Sequence, residues 1–322
     1  MKNWLQIMRF KNLIIIALTM FSVFFFYAHF SNNIAFSTVD YIHFALLVSI
    51  TILIAGAGNI INDIFDVEAD KVNKPNKVFI GETISKGDAH IVYWTLNGIA
   101  LLFSLYLSYV LGSFWFVVIP VISFGGLWIY SKMLKKISFF GNLIVAILTG
   151  VVPLLVGIFI HETFALSGNV LNLDEIELSI STTIRQTILT DGNNGLVFFF
   201  ALFAFLLNFA REWIKDIADI AGDKLIGSQS LAMQLGEKKM KMYTGFFLMM
   251  TIGFLILLLA NATDYVQLIK IQFPLLIVII FLLLSLYFLF HKKRTSIKKA
   301  DLYLKLSFLA GLILPFWWAV FL

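Results

Sequence analysis

Residues 91–131 contain no Asp, Glu, Lys or Arg side chain. This stretch is about twice as long as the ~20 apolar residues that a helix needs to cross a bilayer. Gly112 and Ser113, which favour a turn, lie near its middle. We therefore predict a hairpin of two membrane-spanning helices. The composition agrees, since only 13% of the residues are charged, compared with about 25% in soluble domains.

The other apolar segments can be divided by the same length criterion. The first of them follows Lys2, Arg9 and Lys11 and has no small-residue cleavage site after it, so we expect it to be retained as a span. The sequence therefore predicts an all-α, polytopic membrane protein with nine transmembrane helices. The candidate spans are residues 12–30, 41–62, 91–111, 113–131, 138–160, 194–213, 242–262, 271–290 and 303–322.

The positions of the basic residues predict how this chain is oriented. All but two of the 24 Lys and Arg residues fall in segments on one side of the predicted spans, and the exceptions are Arg185 and Lys270. By the positive-inside rule, the N-terminus is cytoplasmic and the C-terminus extracytoplasmic. We predict one transmembrane domain over residues 1–322, with residues 161–193 as an extracytoplasmic loop. This loop is either a solvated insertion or a lid or partner surface.

Two segments at the cytoplasmic ends of predicted spans share one acidic pattern, D-x-x-D-x-x-x-D followed by Lys. On a helix, positions i, i+3 and i+7 lie within about 60° of one another, so each triplet forms one carboxylate face. A single acidic helix end is usually a solvated face, but two copies with identical spacing favour a function. The aspartates are Asp63, Asp66 and Asp70, and Asp216, Asp219 and Asp223.

Three carboxylates on one helix face at the edge of a membrane repel one another unless cations gather them. Oxygen ligands without His or Cys favour Mg²⁺ over Zn²⁺. We therefore predict that all six aspartates are catalytic residues and ligands of Mg²⁺ ions that hold a diphosphate. The two motifs lie four spans apart, which indicates two four-helix repeats and one extra helix.

Basic and amide side chains near these motifs are candidates for binding the substrate. Lys74 and Lys77 lie in a loop at Pro75, where phosphate binding and ordinary positive-inside charge are equally good interpretations. Asn12 and Asn142 lie near the starts of spans, where a helix–helix hydrogen bond is the alternative. The predicted substrate-binding residues are Asn12, Asn62, Lys74, Lys77, Tyr130, Lys132, Asn142, Asn208, Arg211 and Lys215.

At these motifs the chain resembles the UbiA superfamily of intramembrane prenyltransferases. Arg9-x-x-Asn12 is similar to the family's opening motif, and Tyr130-Ser131-Lys132 with Gly141-Asn142 to its middle motif. The resemblance implies nine transmembrane helices, a Mg²⁺-dependent site on the cytoplasmic side and a lateral opening to lipid. The chain departs from the family at Lys74 and Lys77, where arginines are common, and at Ser230-Leu231-Ala232, where Thr-Leu-Pro is usual.

The run Arg211-Glu212-Trp213-Ile214-Lys215-Asp216 resembles most the branch that prenylates geranylgeranylglyceryl phosphate. The resemblance thus implies transfer of a prenyl group, geranylgeranyl in this branch, from a prenyl diphosphate to this membrane-associated acceptor. The alternatives are prenylation of an aromatic quinone precursor and, in another class, a membrane transporter. The expected partners are the prenyl diphosphate donor, a lipid-soluble acceptor and the bilayer, with no nucleic acid. Because the chain has no cysteine, a thiolate nucleophile is excluded.

Overall fold

The computed structural model describes residues 2–30, 36–73, 78–134, 137–166, 195–225, 229–260, 273–291 and 295–321. These residues form helices and one pair of two-residue strands. In chain order the elements are α1 (Lys2–Ile7), α2 (Phe10–Phe30), α3 (Thr38–Asn73), α4 (Lys86–Leu111), α5 (Trp115–Lys132), β1 (Ile137–Ser138), α6 (Phe140–Leu166), α7 (Gly195–Leu225), β2 (Gln229–Ser230), α8 (Leu231–Ala260), α9 (Phe273–Phe290) and α10 (Ser296–Phe321).

Within these ranges, nine helices are long and apolar enough to cross a membrane, and they are α2 to α10. This count confirms the predicted all-α fold with nine transmembrane helices. α4 and α5 divide the uncharged stretch at Gly112, whose φ of 64° gives it the left-handed conformation that suits glycine. The two two-residue strands are the exception to the helical prediction.

α3 and α7 are longer than a membrane span, with 36 and 31 residues. At a rise of 1.5 Å per residue, α3 is about 54 Å long, compared with ~30 Å for the hydrocarbon core. The predicted spans 41–62 and 194–213 end before the helices do. Both acidic motifs therefore continue a spanning helix by several turns.

The chain divides into two units, and the first comprises residues 1–18, 36–148 and 219–234. A buried cluster here surrounds the second half of α3 and includes Ile7, Ile60 and Ile61. The turn after α1 is joined to α3 by the Asn59 side-chain amide, which donates to the Met8 carbonyl at 3.0 Å. β1 and β2 pair in parallel, so that the loop after α5 is joined to the loop after α7.

The second unit comprises residues 19–35, 149–218 and 235–322. Glycines allow α6 and α7 to pack closely: a Cβ on Gly150 would lie 3.0 Å from the Ala201 carbonyl oxygen, and one on Gly157 would lie 2.8 Å from Val197. α9 and α10 are joined by the Ser285 hydroxyl, which donates to the Ala300 carbonyl at 2.9 Å.

The predicted loop at residues 161–193 begins later than expected, because α6 continues to Leu166. The rest of that segment lies outside the described residues. The prediction of a single domain and that of two four-helix repeats both stay predictions.

Candidate active site

The first acidic face lies on the last turns of α3. Asp66 is buried, with a relative exposure of 6%, and Asp63 and Asp70 are half-buried. Phe65 and Glu68 are exposed on the same turns. The three aspartates therefore share the inward side of the helix, as their spacing predicts.

Asn62 lies one turn before Asp66 and is also buried. Its side-chain amide donates to Oδ2 of Asp66 at 2.7 Å, which holds the carboxylate in one orientation. The Asn62 Oδ1 atom is buried and has no hydrogen-bond partner in the structure. A buried acceptor without a partner costs about 1–3 kcal/mol, so this oxygen is suited to a cation or to a water that a cation holds.

Arg9 connects the N-terminal segment to this face. It lies in the turn between α1 and α2, with φ of 55°, a left-handed conformation that is uncommon for residues other than glycine. Its Nη2 lies 3.1 Å from Asp63 Oδ1. Asn12, half-buried in the first turn of α2, donates its backbone N–H to the Arg9 carbonyl at 2.7 Å. Arg9 is not among the predicted site residues, and the R-x-x-N pattern is the sequence signal that points to it.

The second acidic face lies on the last turns of α7. Asp216, Asp219 and Asp223 are half-buried, whereas Ala218 and Lys224 are exposed. The three carboxylates therefore share one side of this helix too.

A cluster of charged side chains joins α7 to α10 one to two turns before this second face. Arg211 Nε donates to Asp301 Oδ1 at 3.1 Å, and Arg211 Nη1 lies 3.9 Å from Glu212 Oε1. Lys215 Nζ donates to Glu212 Oε1 at 2.6 Å, and Lys305 donates to Asp301 Oδ2. The sequence predicted Arg211 and Lys215. It missed Asp301 and Lys305, although Asp301 is the one acid among the basic residues of segment 292–305.

The other predicted substrate-binding residues are placed as follows. Asn208 donates its side-chain amide to the Thr149 hydroxyl at 2.8 Å, a hydrogen bond between α7 and α6. Lys132 is exposed, with Nζ 4.5 Å from the Trp128 ring centre. Tyr130 is half-buried, and Asn142 is buried in the first turn of α6. Lys74 and Lys77 lie outside the described residues.

Among the residues that the structure describes, no group of three or more His, Cys, Asp or Glu side chains is placed to hold one metal ion. The available donors, carboxylate oxygens and the free Asn62 Oδ1, are those that Mg²⁺ prefers. The chemistry of the donor set thus fits the predicted ion, which would require the carboxylates to turn toward it. Sharing of ions by the six aspartates stays a prediction.

The fold and these side chains define a class: an integral membrane protein with two acidic helix faces and basic residues beside them. The profile of the UbiA prenyltransferase family matches residues 16–312. The chain therefore belongs to the UbiA prenyltransferase family, and the predicted resemblance is confirmed.

Two relatives carry one name, digeranylgeranylglyceryl phosphate synthase. The protein of Methanococcoides burtonii is 31% identical over 326 residues, which cover 97% of this chain and 100% of the relative. The protein of Thermococcus sibiricus is 33% identical over 191 residues, or 59% of this chain. That alignment spans 56% of the Thermococcus protein's own length.

Solved structures show the same fold. One, concerned with digeranylgeranylglyceryl phosphate synthase in membranes, has a TM-score of 0.61 at 23% identity and covers 99% of this chain and 97% of that one. A UbiA homolog from Archaeoglobus fulgidus, bound to GPP and Mg²⁺, has a TM-score of 0.54 at 12% identity and covers 97% of this chain and 99% of that one.

Proposed function

We propose that this chain transfers a geranylgeranyl group from its diphosphate to geranylgeranylglyceryl phosphate, in a Mg²⁺-dependent reaction. The observation that carries the proposal is the repeated acidic face, with carboxylates at i, i+3 and i+7 on both α3 and α7. The acceptor follows from the name that the two relatives share, which describes a product with two geranylgeranyl groups.

The six aspartates would hold Mg²⁺, with Asn62 Oδ1 as a further oxygen ligand or as the acceptor for a water ligand. Bound Mg²⁺ would offset the charge that develops on the diphosphate as the allylic C–O bond breaks. The hydrogen bond from Asn62 keeps the buried Asp66 carboxylate oriented before substrate arrives. Arg9 compensates the charge of Asp63, which lowers the net negative charge of the face.

Arg211 and Lys215 would bind diphosphate oxygens next to the second acidic face. A cation near the membrane needs a counterion, and Glu212 and Asp301 supply one while no donor is bound. Because a guanidinium has five N–H donors, Arg211 keeps donors for a phosphate oxygen beyond the one that Asp301 uses.

The transfer exchanges one C–O bond for another. The bond from the prenyl C1 to the diphosphate oxygen breaks, and its electron pair leaves with the diphosphate. The acceptor hydroxyl oxygen forms the new bond to C1, giving an ether, and its proton passes to the diphosphate or to water. Apolar surroundings at the site would exclude water that could otherwise capture the prenyl cation.

The orientation belongs to the same proposal. Both acidic faces lie at the ends that the basic residues assign to the cytoplasm, where a water-soluble diphosphate head can reach them. An aromatic quinone precursor is the alternative acceptor, and it would not need a cation for a phosphate group.

The proposal is tested with the purified protein in lipid, using labelled geranylgeranyl diphosphate and synthetic geranylgeranylglyceryl phosphate. Asp66→Asn and Asp219→Asn should each lower turnover by at least about 100-fold, since each removes a metal ligand. EDTA should abolish transfer and Mg²⁺ should restore it. Glu68→Gln is the matched control, because Glu68 lies on the same turns as Asp66 but is exposed and paired with Lys71. Turnover that is unchanged in both aspartate variants would reject the metal assignment.

The acceptor is tested by mass spectrometry of products from a panel that includes geranylgeranylglyceryl phosphate, its dephosphorylated form and aromatic quinone precursors. We expect the ether product from the phosphorylated acceptor. A product from the aromatic compounds alone would overturn the acceptor and leave the prenyl transfer standing.

A further inference from the structure

We propose that Asp301 of α10 is a positioning residue that holds Arg211 in place for the donor diphosphate, and that Lys305 sets the geometry of this contact. The proposal rests on the function proposed above. It gives a role in the site to α10, which the sequence treats as the extra helix outside two repeats.

The contacts place Asp301 between two cations. Its Oδ1 accepts from Arg211 Nε at 3.1 Å, and its Oδ2 accepts from Lys305 Nζ. The Asp301 side chain is 23% exposed and that of Arg211 is 19% exposed. Both charges are therefore mostly removed from water. A charged contact in such a place is stronger and less screened than on an open surface.

The geometry of the bond explains why it positions Arg211. A hydrogen bond to Nε fixes the plane of the guanidinium and uses one of its five donors. On the other side, Nη1 lies 3.9 Å from Glu212, whose oxygen also accepts from Lys215. Arg211 is thus held between carboxylates of α10 and of its own helix, and the remaining N–H groups keep a fixed direction.

Lys305 limits the number of hydrogen bonds that the Asp301 carboxylate forms with Arg211. Carboxylates often bind guanidinium groups through both oxygens. Lys305, one turn along α10, contacts Oδ2 and competes for it, and Asp301 contacts Arg211 through Oδ1. A bidentate pair would engage Arg211 more fully and compete with the diphosphate.

The experiment compares steady-state constants of Asp301→Asn, Asp301→Glu and Lys305→Met in lipid. Asp301→Asn and Lys305→Met should raise the KM for geranylgeranyl diphosphate by about tenfold, equivalent to ~1.4 kcal/mol, while kcat changes much less. Asp301→Glu should recover part of the loss. Glu237→Gln is the matched control, because Glu237 pairs with Lys241 at i, i+4 and 2.7 Å but contacts no proposed substrate-binding residue in the described contacts. It should leave KM unchanged.

A double-mutant cycle separates positioning from a structural role. In an Arg211→Met background, Asp301→Asn should add little to KM, since its effect passes through Arg211. Independent, multiplicative effects would overturn the proposal. An Asp301→Asn variant that unfolds at a lower temperature but keeps the wild-type KM would also overturn it.

Pyrophosphate binding distinguishes an error in the role of Asp301 from an error in the proposed function. Binding of inorganic pyrophosphate with Mg²⁺ is measured by calorimetry on the same proteins. If the wild type makes no prenylated product, the function is wrong, and weaker pyrophosphate binding by Asp301→Asn still supports the positioning of Arg211. Equal pyrophosphate affinity in the wild type and Asp301→Asn contradicts the inference whatever the activity.

Discussion

Arg9 combines a strained backbone conformation with an ion pair to Asp63. Its φ of 55° is unfavourable for an L-residue with a side chain, yet the turn that it makes brings the guanidinium to 3.1 Å from Asp63. Strained backbone at a charged contact often marks a functional position.

At the scale of single residues, the sequence predicted which types surround the acidic faces. It did not predict their partners, because partners such as Arg9 with Asp63 and Arg211 with Asp301 are 54 and 90 positions apart.

We expect Arg9→Gly to be more stable than Arg9→Ala by about 1 kcal/mol. Both variants lose the ion pair with Asp63, but only glycine relieves the left-handed backbone. Thermal unfolding in detergent measures the difference. A glycine variant that unfolds at or below the temperature of the alanine variant would show that the turn is not strained.

At the scale of the helices, the sequence predicted that each span exists but not where it ends. Hydropathy falls at the acidic motifs, so the predicted spans stop at residues 62 and 213, yet α3 and α7 continue to Asn73 and Leu225. Helical hydrogen bonding persists through polar residues when no Gly or Pro stops it. Likewise α8 begins at Leu231, well before the predicted residue 242, with an interruption at Gly236, whose φ is 79°.

The close packing of α6 on α7 leads to a prediction at this scale. Gly150→Ala places a Cβ 3.0 Å from the Ala201 carbonyl oxygen and 3.3 Å from Phe205 Cβ, so the helices must shift. We expect a loss of about 1–3 kcal/mol in stability.

Gly253→Ala is its control, because Gly253 also lies inside a helix of the same unit and a Cβ there meets no atom within 4 Å. It should be neutral or slightly stabilising, since alanine favours helices by up to about 1 kcal/mol over glycine. Thermal unfolding of both variants in detergent checks the pair, and equal losses would contradict the packing argument.

At the scale of the whole molecule, the number of spans, the family and the two acidic faces could be predicted from the sequence. Long apolar segments and regular spacing are local properties that a single chain displays. The contacts of α10 with α7 could not be predicted, because Asp301 and Lys305 look like ordinary charges at the start of a span. The strand pair could not be predicted either, since two residues carry no periodic pattern.

The membrane orientation is testable because the chain has no native cysteine. Val39 and Val72 are exposed at opposite ends of α3, about 50 Å apart at helical rise. In intact cells or spheroplasts, a membrane-impermeant maleimide should label Val39→Cys and not Val72→Cys. Inside-out vesicles should reverse the pattern. Labelling of Val72→Cys from outside would contradict the proposed topology, because it would place the end of α3 that carries the first acidic face on the extracytoplasmic side.

The pairing of Ile137 with Gln229 and of Ser138 with Ser230 links two loops that are far apart in the sequence. The backbone pairing fixes the register of the two strands, so a slip by one residue changes every pair. Deleting or inserting a single residue before Ile137 would therefore reach beyond its own loop. It would pair Ser230, which is buried, with a different residue of β1, so the length of the segment before β1 is more constrained than that of most surface loops.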